Sequence, residues 1–386
     1  MRRALLGVAV LVGVSAAGAG SAWSLADGER GDPPGATCNG LPATEVDASH
    51  QAQTGTAGDD VVVLVGEGAV YDALGGNDSI CLSPTIRYAL VNGDAGDDHV
   101  DASAAQARRG YSTEISGGPG SDEIVGSAFR DVMIGGSGDD VVEGGAGGDL
   151  LDGDGVDRVG RYSDPFVDGA DHVDAGPGND RIYSSVRGDD GASGADESIG
   201  GPGRDTLDHG PSRAGIVLRV QAGVVEGTGT DVPDTFEGFE RYEGSGSDDL
   251  IVGTEGDDHL DGDFGRDRVF GLGGDDRLEL ARGRASGGPG DDLLSDGANG
   301  PRLRIAMGPG DDRVSLLQGR HTVAMGAGND RVEFAGLRGT FAIGGGPGFD
   351  RVTTIRCKHH RRTGDVVTCD RSTATITSVE RVRNRG

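Results

Sequence analysis

Equivalent aspartates recur eighteen residues apart along much of this chain, each at the end of a glycine-rich turn and just before a short apolar strand. Asp249, Asp258, Asp267 and Asp276 stand on an unbroken nine-residue ladder, and Asp122, Asp131, Asp140 and Asp149 form a second one. A fixed period of this kind marks a stacked repeat, because one short unit cannot bury its apolar face alone. Composition does not produce it. Gly and Asp are abundant, but composition fixes neither the nine-residue phase nor a Val, Ile or Leu two positions after the aspartate.

Each position of the nonad has a physical task. Glycines supply backbone geometries with φ > 0 that a side chain resists, so a six-residue turn can curl tightly. Such a turn aims carbonyl oxygens inward, and the closing aspartate adds a short anionic oxygen. Calcium takes six to eight oxygens from carboxylates and carbonyls at flexible geometry, so this donor set suits it. The next three residues form a strand whose middle side chain points into a thin core. Two nonads make one coil, and residues 18 apart stack at the strand spacing of ~4.8 Å. A cation between stacked turns is then shared by Asp249 and Asp267, Asp258 and Asp276, Asp122 and Asp140, or Asp131 and Asp149.

The nonad Gly117-Gly118-Pro119-Gly120-Ser121-Asp122-Glu123-Ile124-Val125, with close copies at 135–143, 287–295 and 345–353, resembles the hemolysin-type (RTX) calcium-binding repeat. The resemblance covers roughly residues 54–356 and is similar to an actinobacterial-type secreted form. It implies an all-β fold: a parallel β-roll or β-helix solenoid of Gly-Gly-x-Gly-x-Asp nonapeptides, with calcium between successive turns. The expected metal ligands are Asp60, Asp78, Asp98, Asp122, Asp140, Asp149, Asp180, Asp205, Asp249, Asp258, Asp267, Asp276, Asp292, Asp312, Asp330 and Asp350. Asp131 follows Ser127-Ala128-Phe129-Arg130, which lacks the preceding glycine, and stays outside that set.

Several spacings depart from 18, such as Asp78 to Asp98 and Asp98 to Asp122. A continuous solenoid with a partial complement of metals is expected there. Residues 209–243 break the rhythm. Ile216–Val220 reads as a longer strand and Asp234–Tyr242 as an apolar-rich return coil, together an insertion within one array.

Composition agrees with a thin core. Aromatics are 4% and hydrophobic residues 35%, too little for a globular core in 386 residues. A solenoid needs less, because each coil packs only against its neighbours. The formal charge is -29, and Asp outnumbers Glu 49 to 15, which favours short carboxylates at tight turns over a merely soluble acidic surface.

Met1-Arg2-Arg3, the apolar run Ala4–Ala17 and Ser24-Leu25-Ala26 read as a signal peptide over residues 1–26. The expected location is therefore secreted or extracellular, with association to the cell surface and no membrane span after cleavage. Residues 27–53 are read as an N-terminal cap segment, 54–356 as the array and 357–386 as a basic C-terminal cap. Four cysteines in an exported chain allow three pairings. Cys38 with Cys81 and Cys357 with Cys369 is the expected one, each pair tying down an end of the solenoid. Cys357, His359, His360 and Cys369 also imitate a zinc site, a reading disfavoured in an oxidising compartment.

There is no Gly-x-Ser-x-Gly elbow, no His-Glu-x-x-His, and no long segment outside the repeats to hold an enzyme domain. Asp152-Gly153-Asp154-Gly155-Val156-Asp157 begins like an EF-hand loop but has Ser163 where the bidentate Glu belongs. The expectation is a non-enzymatic, monomeric calcium-binding protein with a structural or adhesive role. Its partners would be calcium ions, and nucleic acid is not among them. The basic segment of Arg351, Arg356, Lys358, Arg361, Arg362, Arg371, Arg381, Arg383 and Arg385 reads first as a solvated cap that offsets the charge of the roll, and otherwise as a docking site for anionic surface polymers. The other reading is a secreted effector or hydrolase whose roll serves export and folding.

Overall fold

A computed structural model describes residues 35–385 except 48–51, 107–111, 155–168, 185–193, 213, 228–232, 298–301, 318, 335–338, 356–359, 364–365, 370–371 and 378–380. The signal-peptide reading and Cys357 lie outside the described residues. The described chain is all-β, with a single 3-10 turn at Val220–Ala222. No described helix is long and apolar enough to cross a membrane.

Two parallel sheets run the length of the array. One is a 16-stranded sheet in which strands such as Thr113–Pro119, Asp131–Ser137, Leu150–Asp152 and Arg181–Tyr183 are successive neighbours. The other links Glu123–Val125, Val141–Glu143, His172–Asp174 and Glu197–Ile199 in the same manner. Each coil supplies one strand to each sheet. Three-residue strands suffice because only the middle side chain turns inward.

Those middle side chains form two apolar files. Ile124 pairs with Val142 and Val142 with Val173; across the coil Met133 pairs with Leu151 and Leu151 with Ile182. All are buried in one continuous core cluster that runs from Val62 to Val352. Burying each such side chain is worth about 1.5–3 kcal/mol, so the core is assembled one coil at a time.

Residues 209–243 depart from the parallel rule, as their broken rhythm leads one to expect. Ile216–Arg219 and Val224–Gly227 make an antiparallel hairpin, and Val224–Gly227 pairs antiparallel with Asp234–Glu237. Asp234–Glu237 lies parallel to Glu197–Ile199 on one side, while Ile216–Arg219 lies parallel to Leu250–Val252 on the other. The hairpin is thus spliced into one sheet while the other passes it directly, from Thr206–Asp208 to Arg241–Glu243. Phe236, Phe239 and Tyr242 fill the space beneath, with ring centroids 5.5–6.4 Å apart.

At the N-terminal end Cys38 and Cys81 form a disulfide with their Cα atoms 5.5 Å apart. It fixes the short strand Thr37–Cys38 over Ser79–Leu82 in a small cluster with Val63. Closing a loop of this length typically contributes a few kcal/mol. Parallel pairing begins with Thr44–Asp47 against Val61–Val65 and continues to Arg381–Arg385 against Arg351–Ile355. Between these last strands His360–Thr363, Val366–Cys369 and Ser372–Thr377 form an antiparallel meander.

Candidate metal centres

The turns joining the two sheets carry the aspartates, and glycine decides their shape. In the turn before Val141–Glu143, Gly136 and Gly138 have φ of 130° and 122°. A Cβ at either would collide with the carbonyl oxygen of Gly118 or Gly120 in the coil before. Successive turns therefore nest backbone against backbone, and only glycine permits that approach.

The aspartate closing each turn is tied to the coil before it. Its Oδ1 accepts the backbone N–H of the equivalent residue one coil earlier: Asp60 donates to Asp78 (2.7 Å), Asp78 to Asp98 (2.8 Å), Asp98 to Asp122 (2.8 Å) and Asp122 to Asp140 (2.8 Å). The file continues from Asp140 to Asp171 (2.9 Å), Asp196 (3.0 Å) and Asp234 (3.1 Å), then restarts with Asp249 and Asp267 (3.1 Å). A second file, before the strands of the 16-stranded sheet, runs Asp131, Asp149, Asp180, Asp205 and ends on Glu240. It restarts with Asp258, Asp276, Asp292, Asp312, Asp330 and Asp350. A hydrogen bond to a charged acceptor is worth about 1.5–3 kcal/mol, so the files pin the axial register.

The other carboxylate oxygen is the chemically telling atom. The Oδ2 atoms of Asp78, Asp98, Asp122, Asp140, Asp149, Asp171, Asp180, Asp205, Asp267, Asp276, Asp292, Asp312 and Asp330 are buried and find no hydrogen-bond partner among the described residues. A buried anionic oxygen without a partner costs several kcal/mol. Burial, aided by repulsion from neighbouring aspartates, pushes Asp122, Asp267 and Asp312 up to about 8. Burial likewise raises Asp140, Asp149 and Asp276 to about 7, and Asp98, Asp205, Asp292 and Asp330 to about 6. For Asp98, Asp122, Asp140, Asp267, Asp276 and Asp292 the Oδ2 faces a hollow left by the glycine that opens the nonad, whereas Ala73, Ala175, Met307 and Met325 stand at that position before Asp78, Asp180, Asp312 and Asp330. A Cβ on Gly135 would lie 2.6 Å from Asp140 Oδ2 and 2.5 Å from the Gly153 carbonyl oxygen of the next coil. Gly271 has the same surroundings, with Asp276 Oδ2 and the Gly287 carbonyl oxygen. Unpartnered carboxylate oxygens beside carbonyl oxygens of the following coil, in a hollow a methyl group would fill, are the donor set of a hard cation, and the residues fit calcium.

Four aspartates differ from the rest. Asp60, Asp131, Asp249 and Asp258 follow turns in which Thr56, Ser127, Ser245 or Thr254 replaces the second glycine. The backbone N–H of that residue donates to Oδ2 at 2.6, 2.6, 2.7 and 2.6 Å respectively. In three of them the hydroxyl adds a second bond to the carboxylate. Each of these is the first aspartate of its stack: Asp60 in the first coils, Asp131 at the fifth strand of the 16-stranded sheet, and Asp249 and Asp258 after the hairpin. Their carboxylates are satisfied by the protein itself.

All sixteen aspartates expected from the sequence stand in these two files, and the four expected pairs are stacked neighbours. Sequence reasoning missed Asp171 and Asp196 as file members, along with Asp234 and Glu240, which close stacks. Asp171 has the expected Val173 two positions on, but spacings of 31 and 25 hide it, and Asp196 is followed by Ser198 at the apolar offset. Asp154 from the EF-hand-like stretch joins Asp171 and Asp196 in a cluster whose ligand atoms lie within 4.8 Å of one another. The variable residue before each aspartate also has a task. Asp257, Asp275, Asp291 and Asp311 form an outer file in which Oδ1 accepts the N–H of the next coil. Cys357 and His359 of the zinc alternative lie outside the described residues.

A family model described as the RTX calcium-binding nonapeptide repeat matches four copies, over residues 116–151, 167–185 and 243–278. No curated protein matches the chain. Among solved structures, one match is the extracellular lipase LipA from Serratia marcescens, at 17% identity and a TM-score of 0.18. It covers 72% of this chain but only 39% of the lipase chain.

Proposed function

We propose that this chain, stretches of which match the RTX calcium-binding nonapeptide repeat, is a secreted, non-catalytic roll that folds on calcium and serves a structural or adhesive role at or near the cell surface. The observation that carries this reading is the row of buried Oδ2 atoms without hydrogen-bond partners among the described residues, several of them in glycine-made hollows. Asp122, Asp140, Asp149, Asp180, Asp205, Asp267, Asp276, Asp292, Asp312 and Asp330 would hold the ions, helped by turn carbonyls. Calcium supplies positive charge where the fold otherwise buries uncompensated negative charge, and its binding free energy becomes folding free energy. The Cys38–Cys81 bridge supports an oxidising location. The non-catalytic assignment is supported by how much of the chain the repeats occupy.

Calcium titration of the mature chain followed by circular dichroism tests the reading. The expected result is little β signal in chelator at neutral pH and cooperative folding at roughly sub-millimolar to millimolar calcium, the range of extracellular modules. Full β content in EDTA at pH 7.5 would overturn it. Cell fractionation then separates a surface protein from a freely soluble one.

A further inference from the structure

The C-terminal half of the array presents a face of unpaired arginines. In the sheet that contains Asp267–Phe270, Gly283–Ser286, Arg302–Pro309 and Gly319–Ala327, the outward side chains Arg268, Arg284 and Arg304 are direct neighbours in successive coils. Arg302 and Arg320 form a second pair one step along the same strands. All five are exposed. None has an ion pair or side-chain hydrogen bond among the described residues. No Asp or Glu is interleaved on this face, whose other outward residues include Ser286, Ala306, Thr322 and Ala324.

On the opposite sheet several arginines are paired with acids, although Arg313, Arg331 and Arg351 also stack there as direct neighbours. There Arg181 meets Asp208 and Glu243, Arg241 meets Glu243 and Asp261, Arg277 meets Glu279, and Arg331 meets Glu333. Stacking like charges at ~4.8 Å is unfavourable, and a chain of net charge -29 has carboxylates to spare for pairing. Every cationic side chain except Lys358 is arginine, the residue whose planar fork binds carboxylates bidentately.

We propose that this face binds a linear acidic polysaccharide lying along the solenoid axis. Its two arginine columns are about 7 Å apart, two residues along a strand. In each column the charges repeat at ~4.8 Å, the spacing of the coils. An extended uronate ribbon carries one carboxylate per sugar, directed alternately to its two edges, and so meets both columns. The small flanking side chains leave the face flat enough for a ribbon to lie on. Single-stranded nucleic acid fits less well, since its binding surfaces add aromatic platforms for the bases and this face offers only Phe270.

The inference rests on the calcium reading only in that calcium-folded coils bring the columns together. The test uses the full mature protein in calcium, with oligogalacturonate as the probe, a neutral oligoglucan of equal length as control, and circular dichroism on the same samples. The triple variant Arg268→Gln, Arg284→Gln, Arg304→Gln is compared with Arg130→Gln, Arg204→Gln, Arg313→Gln, which removes the same charge from outside this face. Because the first variant strips three exposed guanidinium groups from one column, it should weaken oligogalacturonate binding at least about tenfold. The second should stay within about twofold. Binding by the parent should also weaken with salt. Equal affinities of the two variants, both folded, would overturn the proposal, as would binding of oligothymidylate as tight as that of the uronate. A protein that keeps its β signal without calcium yet loses the uronate in the first variant would refute the calcium reading and support this one.

Discussion

From Asp258 to Asp350 and from Asp131 to Glu240 the molecule builds the same kind of stack on very different sequence. In the first stretch the steps are 16 to 20 residues and the stacked hydrogen bonds are 2.9–3.1 Å. In the second the steps grow to 31, 25 and 35 residues, yet the bonds are 2.7–2.8 Å. Extra residues leave between the turns and the chain returns to the same rung. Axial register is therefore held by the aspartate-to-backbone bonds and the paired apolar files, and spacing along the chain is only its usual consequence. The two stretches also begin alike, on a carboxylate already capped by Ser127 or Thr254, and differ at their ends. The second closes on Glu240, whose longer side chain reaches Asp205 N–H at 2.8 Å across the spliced hairpin.

The largest expected effect concerns the uncapped carboxylates that both stretches share. In chelator, the raised pKa values of Asp122, Asp140, Asp149, Asp267, Asp276 and Asp312 make folding depend on protons. A carboxyl raised in the folded state contributes stability that is complete below its unfolded value, about 3.8, and is lost as pH rises through about 7 to 8. The calcium-free chain should thus gain β signal as pH falls from 8 towards 4.5. In calcium the trend should reverse, because protons compete for the same oxygens. Ellipticity that is flat with pH in EDTA would break the argument for both stretches at once.

A smaller effect separates the opening of a stack from its interior. Asp276→Ala removes an oxygen from an uncapped hollow, and should raise the calcium midpoint and lower stability in calcium by about 2–3 kcal/mol. Asp258→Ala removes a carboxylate that Thr254 already satisfies. It should lower stability by about 1 kcal/mol, as loss of a cap does, while the number of bound ions stays the same. Calorimetric titration of both variants reads the difference, and an ion lost with Asp258 would erase the distinction between capped and uncapped turns.

The smallest effect lies within the regular stretch. Leu272 occupies a glycine position of its nonad with φ of 85°, a conformation costing a leucine about 1–2 kcal/mol. Leu272→Gly should raise the thermal midpoint in saturating calcium by a few degrees. A lower midpoint would mean that the side chain contributes more packing than its strain removes.

The fold was legible in this sequence because a period of nine with an apolar residue at one offset admits few packings. Asp122, Ile124 and the glycines between Gly117 and Gly120 already specify turn, strand and inward face. The candidate ligands were legible for the same reason wherever spacing stayed near 18. Asp171 and Asp196 were not, since insertions hide their phase and only the return of the chain to the rung reveals them. The Ser and Thr caps at Asp60, Asp131, Asp249 and Asp258 were in plain view, but their meaning depends on which aspartate has no aspartate before it in its stack. The same holds for the arginine face: Arg268, Arg284 and Arg304 lie 16 and 20 residues apart, and only the coil register makes them neighbours. Local chemistry thus fixed the repeating unit, because turn geometry and strand alternation are short-range properties. Which oxygens remain unpaired and which charges stand side by side was decided by tertiary stacking, since both depend on how coils far apart in the chain meet.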